Sequence, residues 1–308
     1  MRITAANAYE NSLATLQRRQ QSLTEAQAQL TSGKKVLKGS DDPAAAARAE
    51  RALAQMQRAE ANQRALDASI NAMQLTESAL GDAGELLQQA RERVVQAGNG
   101  SLSVSDRRIL GEALRGLRAD LLSTANRTDG AGRFLFAGQG SDAAPMVDSP
   151  EGVVFRGTAG SQRGDAGEPL LLTLDGRAAW LQARDPADPD AELSVFQALD
   201  GISAALLDDS LSAEQVSAAV REGLGDIDAV ADNLSAWRSR AGDALNRADN
   251  LGQRISQHRL DAQAARSAAE DLDMVQAISD FQNQQSGYDA ALKTYSIVQK
   301  MSLFEYLR

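Results

Sequence analysis

At 308 residues the chain has room for two domains or one long one, and only 4% of its residues are aromatic against 43% hydrophobic. That balance suits long helices seamed by Ala and Leu and argues against an aromatic-lined catalytic cleft. The formal net charge of -10 repels nucleic acid and anionic membrane surfaces, so neither is expected as a partner, and the absence of Cys removes disulfide and thiol chemistry.

The N-terminus, Met1-Arg2-Ile3-Thr4, lacks the apolar segment of a cleaved signal peptide. No apolar run approaches the roughly 20 residues of a bilayer span. A first helix is predicted from about Thr4 to Thr31, where Tyr9, Leu16, Leu23 and Leu30 recur every seven residues. Its neighbouring line is weak, since Leu13 is followed by Gln20 and Gln27, and Gly33 stops the helix. Alone in water such a helix is marginal, because helix stability comes mostly from packing an apolar face.

Ser40-Asp41-Asp42-Pro43 is a helix-start signal: Asp42 accepts from the free N–H groups of the first turn, and Pro43 gives up no needed donor. The second helix carries Leu66, Met73, Leu80, Leu87 and Val94 at seven-residue intervals and ends at Ala97-Gly98-Asn99-Gly100. A third, from near Ser105, shows Leu110, Leu114, Leu117 and Leu121 and closes before Asp129-Gly130. Helices joined this tightly are expected to lie antiparallel.

From residue 130 to about residue 190 the pattern changes to short apolar pieces between turns: Phe134-Leu135-Phe136, Val153-Val154-Phe155 and Leu170 to Leu174. These predict a β-rich insertion. Helix resumes near Leu193, and Ser212 with Gln215 has capping-box spacing. Ile227, Leu234, Ala241, Ala248 and Ile255 form one seam, with Val230, Trp237, Ala244 and Leu251 as its companion, which His258 continues by seven. This phase does not reach the terminal stripe of Met274, Phe281, Tyr288 and Tyr295, interleaved with Ile278, Gln285 and Leu292, so the register slips between Ala265 and Asp273.

The expected fold is therefore mainly α: an elongated helical bundle and coiled coil formed by the N- and C-terminal segments, with a small β-rich inserted domain. Residues 1–45 with 266–308 are expected to form a terminal coiled-coil assembly domain, 46–130 with 193–265 a helical bundle, and 131–192 the β-rich insertion. An antiparallel pair within one chain is the simplest alternative for the terminal stripes. The amides Gln17, Gln20, Gln21, Gln27, Gln29 and Gln282 to Gln285 favour subunit contacts instead.

No catalytic, cofactor or metal site is expected. His258 is the only histidine and lies on a helix seam. Asp185, Asp188 and Asp190 lack the Gly and downstream Glu of a calcium loop and read as a solvated turn. Gly138-Gln139-Gly140 has no third Gly and no phosphate-loop Lys, and reads as a turn.

Several of these segments together resemble the bacterial flagellin-like axial protein family, and within it the hook-associated protein 3 family of hook–filament junction proteins. They are Met1 to Thr4 with Tyr9, Gln29-Leu30-Thr31-Ser32-Gly33-Lys34-Lys35-Val36, Ser40 to Pro43, Gly132-Arg133-Phe134-Leu135-Phe136-Ala137-Gly138, Asp280 to Gln285, and Ser302-Leu303-Phe304-Glu305-Tyr306-Leu307. Flagellin shares the Ser-Gly and Asp-Asp elements; the Phe-Leu-Phe-Ala-Gly stretch and the Ser-Leu-Phe ending favour the junction branch. The resemblance implies a non-enzymatic structural protein of the bacterial flagellum, exported unfolded by the flagellar type III apparatus without signal cleavage. It implies self-assembly into a ring, with hook-associated protein 1 and flagellin as neighbours and a cytoplasmic export chaperone on the C-terminal segment. The expected subunit contacts are Tyr9, Leu16, Leu23, Leu30, Met274, Ile278, Phe281, Tyr288, Leu292, Tyr295 and Leu303, with Phe281, Leu292, Tyr295 and Leu303 also meeting the chaperone. A cytoplasmic helical-bundle signalling protein is the rival reading from a different class.

Overall fold

The structure is a computed structural model describing the backbone of residues 2–100, 102–188 and 190–306, and the side chains of residues 10–100, 102–188 and 190–297. The expected roles of the Tyr9 and Leu303 side chains lie outside the described residues. In chain order the elements are α1 (Arg2–Ser32), α2 (Pro43–Ala97), α3 (Val104–Ala125), β1 (Met146–Ser149), β2 (Gly152–Phe155), β3 (Arg163–Asp165), β4 (Pro169–Leu171), α4 (Gly176–Trp180), β5 (Ala183–Arg184), β6 (Glu192–Leu193), α5 (Val195–Leu207), α6 (Ala213–Glu270) and α7 (Met274–Tyr306). The fold is mainly α with a small β-rich insert, as the periodicities predict. Two compact units emerge, 1–59 with 257–308 and 60–256. Helices α2 and α6 contribute to both.

In the first unit, helix ends follow local chemistry. Gly33 takes φ +70° and its N–H donates to Gln29 O at 2.9 Å, closing α1 in the left-handed conformation that a Cβ would penalise. Asp42 Oδ1 accepts from Ala44 N at 3.0 Å and Ala45 N at 2.9 Å, capping α2 ahead of Pro43. Replacing Asp42 by Ala is expected to cost about 1 kcal/mol, seen as a lower Tm for this unit in thermal unfolding followed by circular dichroism. Asp273 Oδ1 caps α7 in the same way, from Val275 N at 3.0 Å and Gln276 N at 3.2 Å.

Between α2 and α6 the buried residues of this unit are small: Ala45, Ala49, Ala52 and Ala59 on α2, Ala262 and Ala269 on α6. The seam of Ile227 to Ile255 thus runs two heptads further than the sequence suggests. Its companion does not, for Leu251 is buried while His258 is exposed. Here the packed face narrows to a single Ala line, and the side chain one line over turns to solvent. The register slip is an interruption of helix: α6 ends at Glu270 and α7 begins at Met274.

In the second unit Leu66, Met73, Leu80, Leu87 and Val94 of α2 are buried along with Ile227, Val230, Leu234, Ala241, Ala248 and Leu251 of α6. Leu114 and Leu121 of α3 join that core, with Leu110 and Leu117 half-buried against it. Capping boxes start α3 (Ser103 with Asp106) and α5 (Ser194 with Gln197), and Ser212 with Gln215 makes the reciprocal pair predicted at the start of α6. Gly223 lets α5 approach α6, because a Cβ there would meet Ile202 Cγ1 at 2.1 Å.

The β-rich part is three separate antiparallel hairpins, β1 with β2, β3 with β4 and β5 with β6. Their common support is aromatic. Phe136 meets Trp180 edge-on at 5.4 Å, and Trp180 stacks on Phe196 at 6.2 Å. Phe134-Leu135-Phe136, read as an apolar strand piece, forms one isolated bridge, Thr128 with Phe134, and a second follows it at Ala137 with Asp175. The reason is burial on both sides: Leu135 and Phe136 point into the core and Gly138 lies so close to Thr158 that a Cβ would sit 1.9 Å from its carbonyl oxygen. Gly138 has φ +67° and Gly140 φ +145°, in keeping with the predicted turn.

Arg118 ties this layer together. It reaches Asp148 of β1 at 2.6 Å and Asp200 of α5 at 2.7 Å, with its guanidinium 5.7 Å from the centre of the Phe196 ring. Hydrogen bonding to Arg118 holds the Asp148 carboxyl below its ordinary range, against the opposing effect of partial burial.

Candidate assembly interface

Helices α1 and α7 pack against each other. On α7 the half-buried line is Ala277, Phe281, Gln284, Tyr288, Ala291 and Tyr295, alternating four and three residues as a coiled-coil seam does. On α1, Leu16 is buried at 9% exposure, while Leu23, Ala26 and Leu30 are half-buried. Thr15, Leu16 and Arg19 face Gly287 and Ala291 across a shallow cleft. Arg19 passes so close to Gly287 that a Cβ there would lie 2.5 Å from its Nη1.

The terminal stripe predicted as one surface is therefore split in two. Phe281, Tyr288 and Tyr295 turn toward α1. Met274, Ile278 and Leu292 do not, remaining 44%, 46% and 41% exposed, and two further apolar side chains share their exposure, Val275 at 82% and Ile297 at 57%. The sequence reading missed Ala277, Gln284 and Ala291 as seam residues. Their signal was present, three residues beyond Met274, Phe281 and Tyr288, but small and amide side chains carry little hydrophobic weight. Gln284 is notable electrostatically, since its Oε1 is buried with no hydrogen-bond partner. An acceptor left unpaired away from water costs about 1–3 kcal/mol, so the pair is weaker than its length suggests.

Elsewhere the chemistry is unremarkable for a site. Asp185 Oδ1 accepts from Ala187 N at 2.7 Å and Asp188 N at 3.3 Å, and Asp188 Oδ1 from Asp190 N at 3.1 Å, so these carboxylates are spent on their own turn. Among the described residues no group of three or more His, Cys, Asp or Glu is placed to hold a metal, and no helix is long and apolar enough to cross a membrane.

Partial burial, followed by the charges of Asp185 and Glu222, pushes the Asp226 carboxyl above its ordinary range. A raised folded-state value favours the protonated acid, so the support Asp226 gives to folding is fully present below the ordinary carboxylate range and is lost as pH rises through the raised folded-state value. Asp226→Asn is accordingly expected to raise Tm at pH 7 and to leave it nearly unchanged at pH 3, measured by scanning calorimetry.

Residues 3–141 match the bacterial flagellin N-terminal helical region. The chain is 31% identical to flagellar hook-associated protein 3 of Salmonella typhimurium over 100% of both chains. It belongs to the flagellar hook-associated protein 3 family. Members of that family are structural components of the flagellum. Flagellin of Bacillus subtilis is also similar, at 23% identity over 82% of this chain and 81% of its own. The fold agrees with the solved structure of a putative flagellar hook-associated protein from Vibrio parahaemolyticus, with TM-score 0.67 and 21% identity over 75% of this chain and all 100% of that one.

Proposed function

We propose that this chain is a non-enzymatic adaptor at the junction of flagellar hook and filament, and that α1 and α7 are its subunit contacts. The half-covered apolar line of α7 carries the reading. Met274, Ile278 and Leu292 remain exposed on a helix whose other face is already paired, and exposed apolar side chains in line mark surfaces that another molecule covers. Copies of the chain close into a ring, one side meeting hook-associated protein 1 and the other flagellin. The assembly domain is 1–45 with 266–308, the bundle 46–130 with 193–265, and the β-rich insertion 131–192.

Export proceeds unfolded through the flagellar type III apparatus, without a cleaved signal, to an extracellular position on the flagellum. A chain free of Cys, with weak terminal pairing, is suited to unfolding and refolding. An α7 of 33 residues spans about 50 Å, enough to line a tube wall. In the cytoplasm an export chaperone covers Phe281, Leu292, Tyr295 and Leu303. Cell fractionation tests the proposal: secretion that stops when flagellar export is blocked supports it, and retention in the cytosol regardless of export supports the signalling rival.

A further inference from the structure

Between the two terminal helices and the rest of the first unit lies a small polar junction that the assembly role does not call for. Lys34 and Asp271 form an isolated antiparallel bridge. Its backbone bonds are Lys35 N to Glu270 O at 2.8 Å and Leu272 N to Gly33 O at 2.9 Å. Side chains brace it from both strands. Lys35 Nζ donates to the Ala268 carbonyl at 2.8 Å, one of the acceptors left free where α6 ends. Lys34 Nζ lies 3.2 Å from Glu270 Oε1, which Arg266 Nε also meets at 2.9 Å, and Gln29 Nε2 donates to Lys35 O at 2.9 Å. Both interruptions of helix, after α1 and before α7, are thus stitched to each other at one point.

We propose that this bridge is a latch: it sets the register of α1 against α7 and is the point from which their pairing propagates. Helix α1 ends at Ser32 and α7 begins at Met274, so each leaves the latch within three residues of it. Without the latch, two helices whose sequences stand more than two hundred residues apart must find each other through seams in which, among the described residues, Leu16 alone is buried and the rest are half-buried. With it, the first contacts are neighbours, and loop-closure entropy no longer opposes them. Gly33 at φ +70° and the Asp273 cap turn the chain sharply at both edges of the latch, which aims the helices along one line. The inference rests on the assembly reading only for what the ordered pair is used for.

Because the chain has no native Cys, Lys34→Cys with Asp271→Cys creates a single possible disulfide across bridge partners. Hydrogen exchange on the purified full-length chain then reads protection at residues 11–21 of α1 and 287–297 of α7, more than two turns from the substitutions. Oxidation of the pair is expected to raise protection in both segments together by roughly tenfold or more, with reduction reversing it and α5 amides unmoved. Lys35→Pro, which deletes the N–H that bonds Glu270 O, is expected to lower both segments together. Protection that changes in one segment alone, or in neither, under oxidation overturns the latch. Coupled protection combined with normal filament growth after the α7 substitutions discussed below would instead sink the assembly reading and leave the latch standing.

Discussion

Replacing Phe281 and Leu292 by Asp together is expected to abolish incorporation into the flagellum and filament growth, while the second unit stays folded. The two positions act differently. Phe281 lies in the half-buried seam toward α1, where a carboxylate is partly desolvated and unpaired, so Phe281→Asp loosens the pair itself by about 1–3 kcal/mol. Leu292 faces away from that seam at 41% exposure, so Leu292→Asp leaves the monomer's stability within about 0.5 kcal/mol of the parent and removes only an outward contact. Electron microscopy of cells carrying each variant, beside thermal unfolding of the purified chains, separates the effects. Normal motility of the double variant would count decisively against α7 as a subunit contact.

Trp180→Ala should give the largest loss of stability in the second unit, about 3–5 kcal/mol. Trp180 is fully buried between Phe136 and Phe196 and supports the hairpins and α5 together. Its removal leaves a cavity with aromatic walls that cannot collapse, because Gly138 and Gly176 already hold the surrounding backbone in contact: a Cβ on Gly176 would lie 2.0 Å from Phe136 O. Trp180→Phe is expected to lose under about 1.5 kcal/mol, since it keeps most of the apolar volume. It also deletes the buried Nε1–H that has no partner, which offsets part of the lost volume. Chemical denaturation followed by Trp237 fluorescence, the second of the two tryptophans, reads both variants. A loss near 1 kcal/mol for Trp180→Ala would mean that the three rings are not the support of the insertion.

Long periodic elements were legible in the sequence because a helix that packs one face repeats its apolar residues at a fixed interval. The Leu66 to Val94 line, the Ile227 to Ile255 line, Gly33 as a helix stop and Asp42-Pro43 as a helix start all depend on contacts within a few residues. The insertion was legible only as irregular and β-rich. Its hairpins are set by what Trp180 packs on, and a two-sided buried segment such as Leu135-Phe136 has no period to distinguish a strand from a core plug.

For the candidate interface, the residue types were readable and their partition was not. Sequence alone determined that α7 carries an apolar surface wider than a single seam, since Met274, Ile278, Phe281, Tyr288, Leu292 and Tyr295 cannot all face one narrow partner. Only the tertiary structure decided which of them α1 covers, that Ala277, Gln284 and Ala291 complete the covered line, and that Lys34 meets Asp271. The physical reason is that period reports a face relative to its own helix axis, whereas the rotation of that axis toward a partner is set by contacts between segments far apart in sequence.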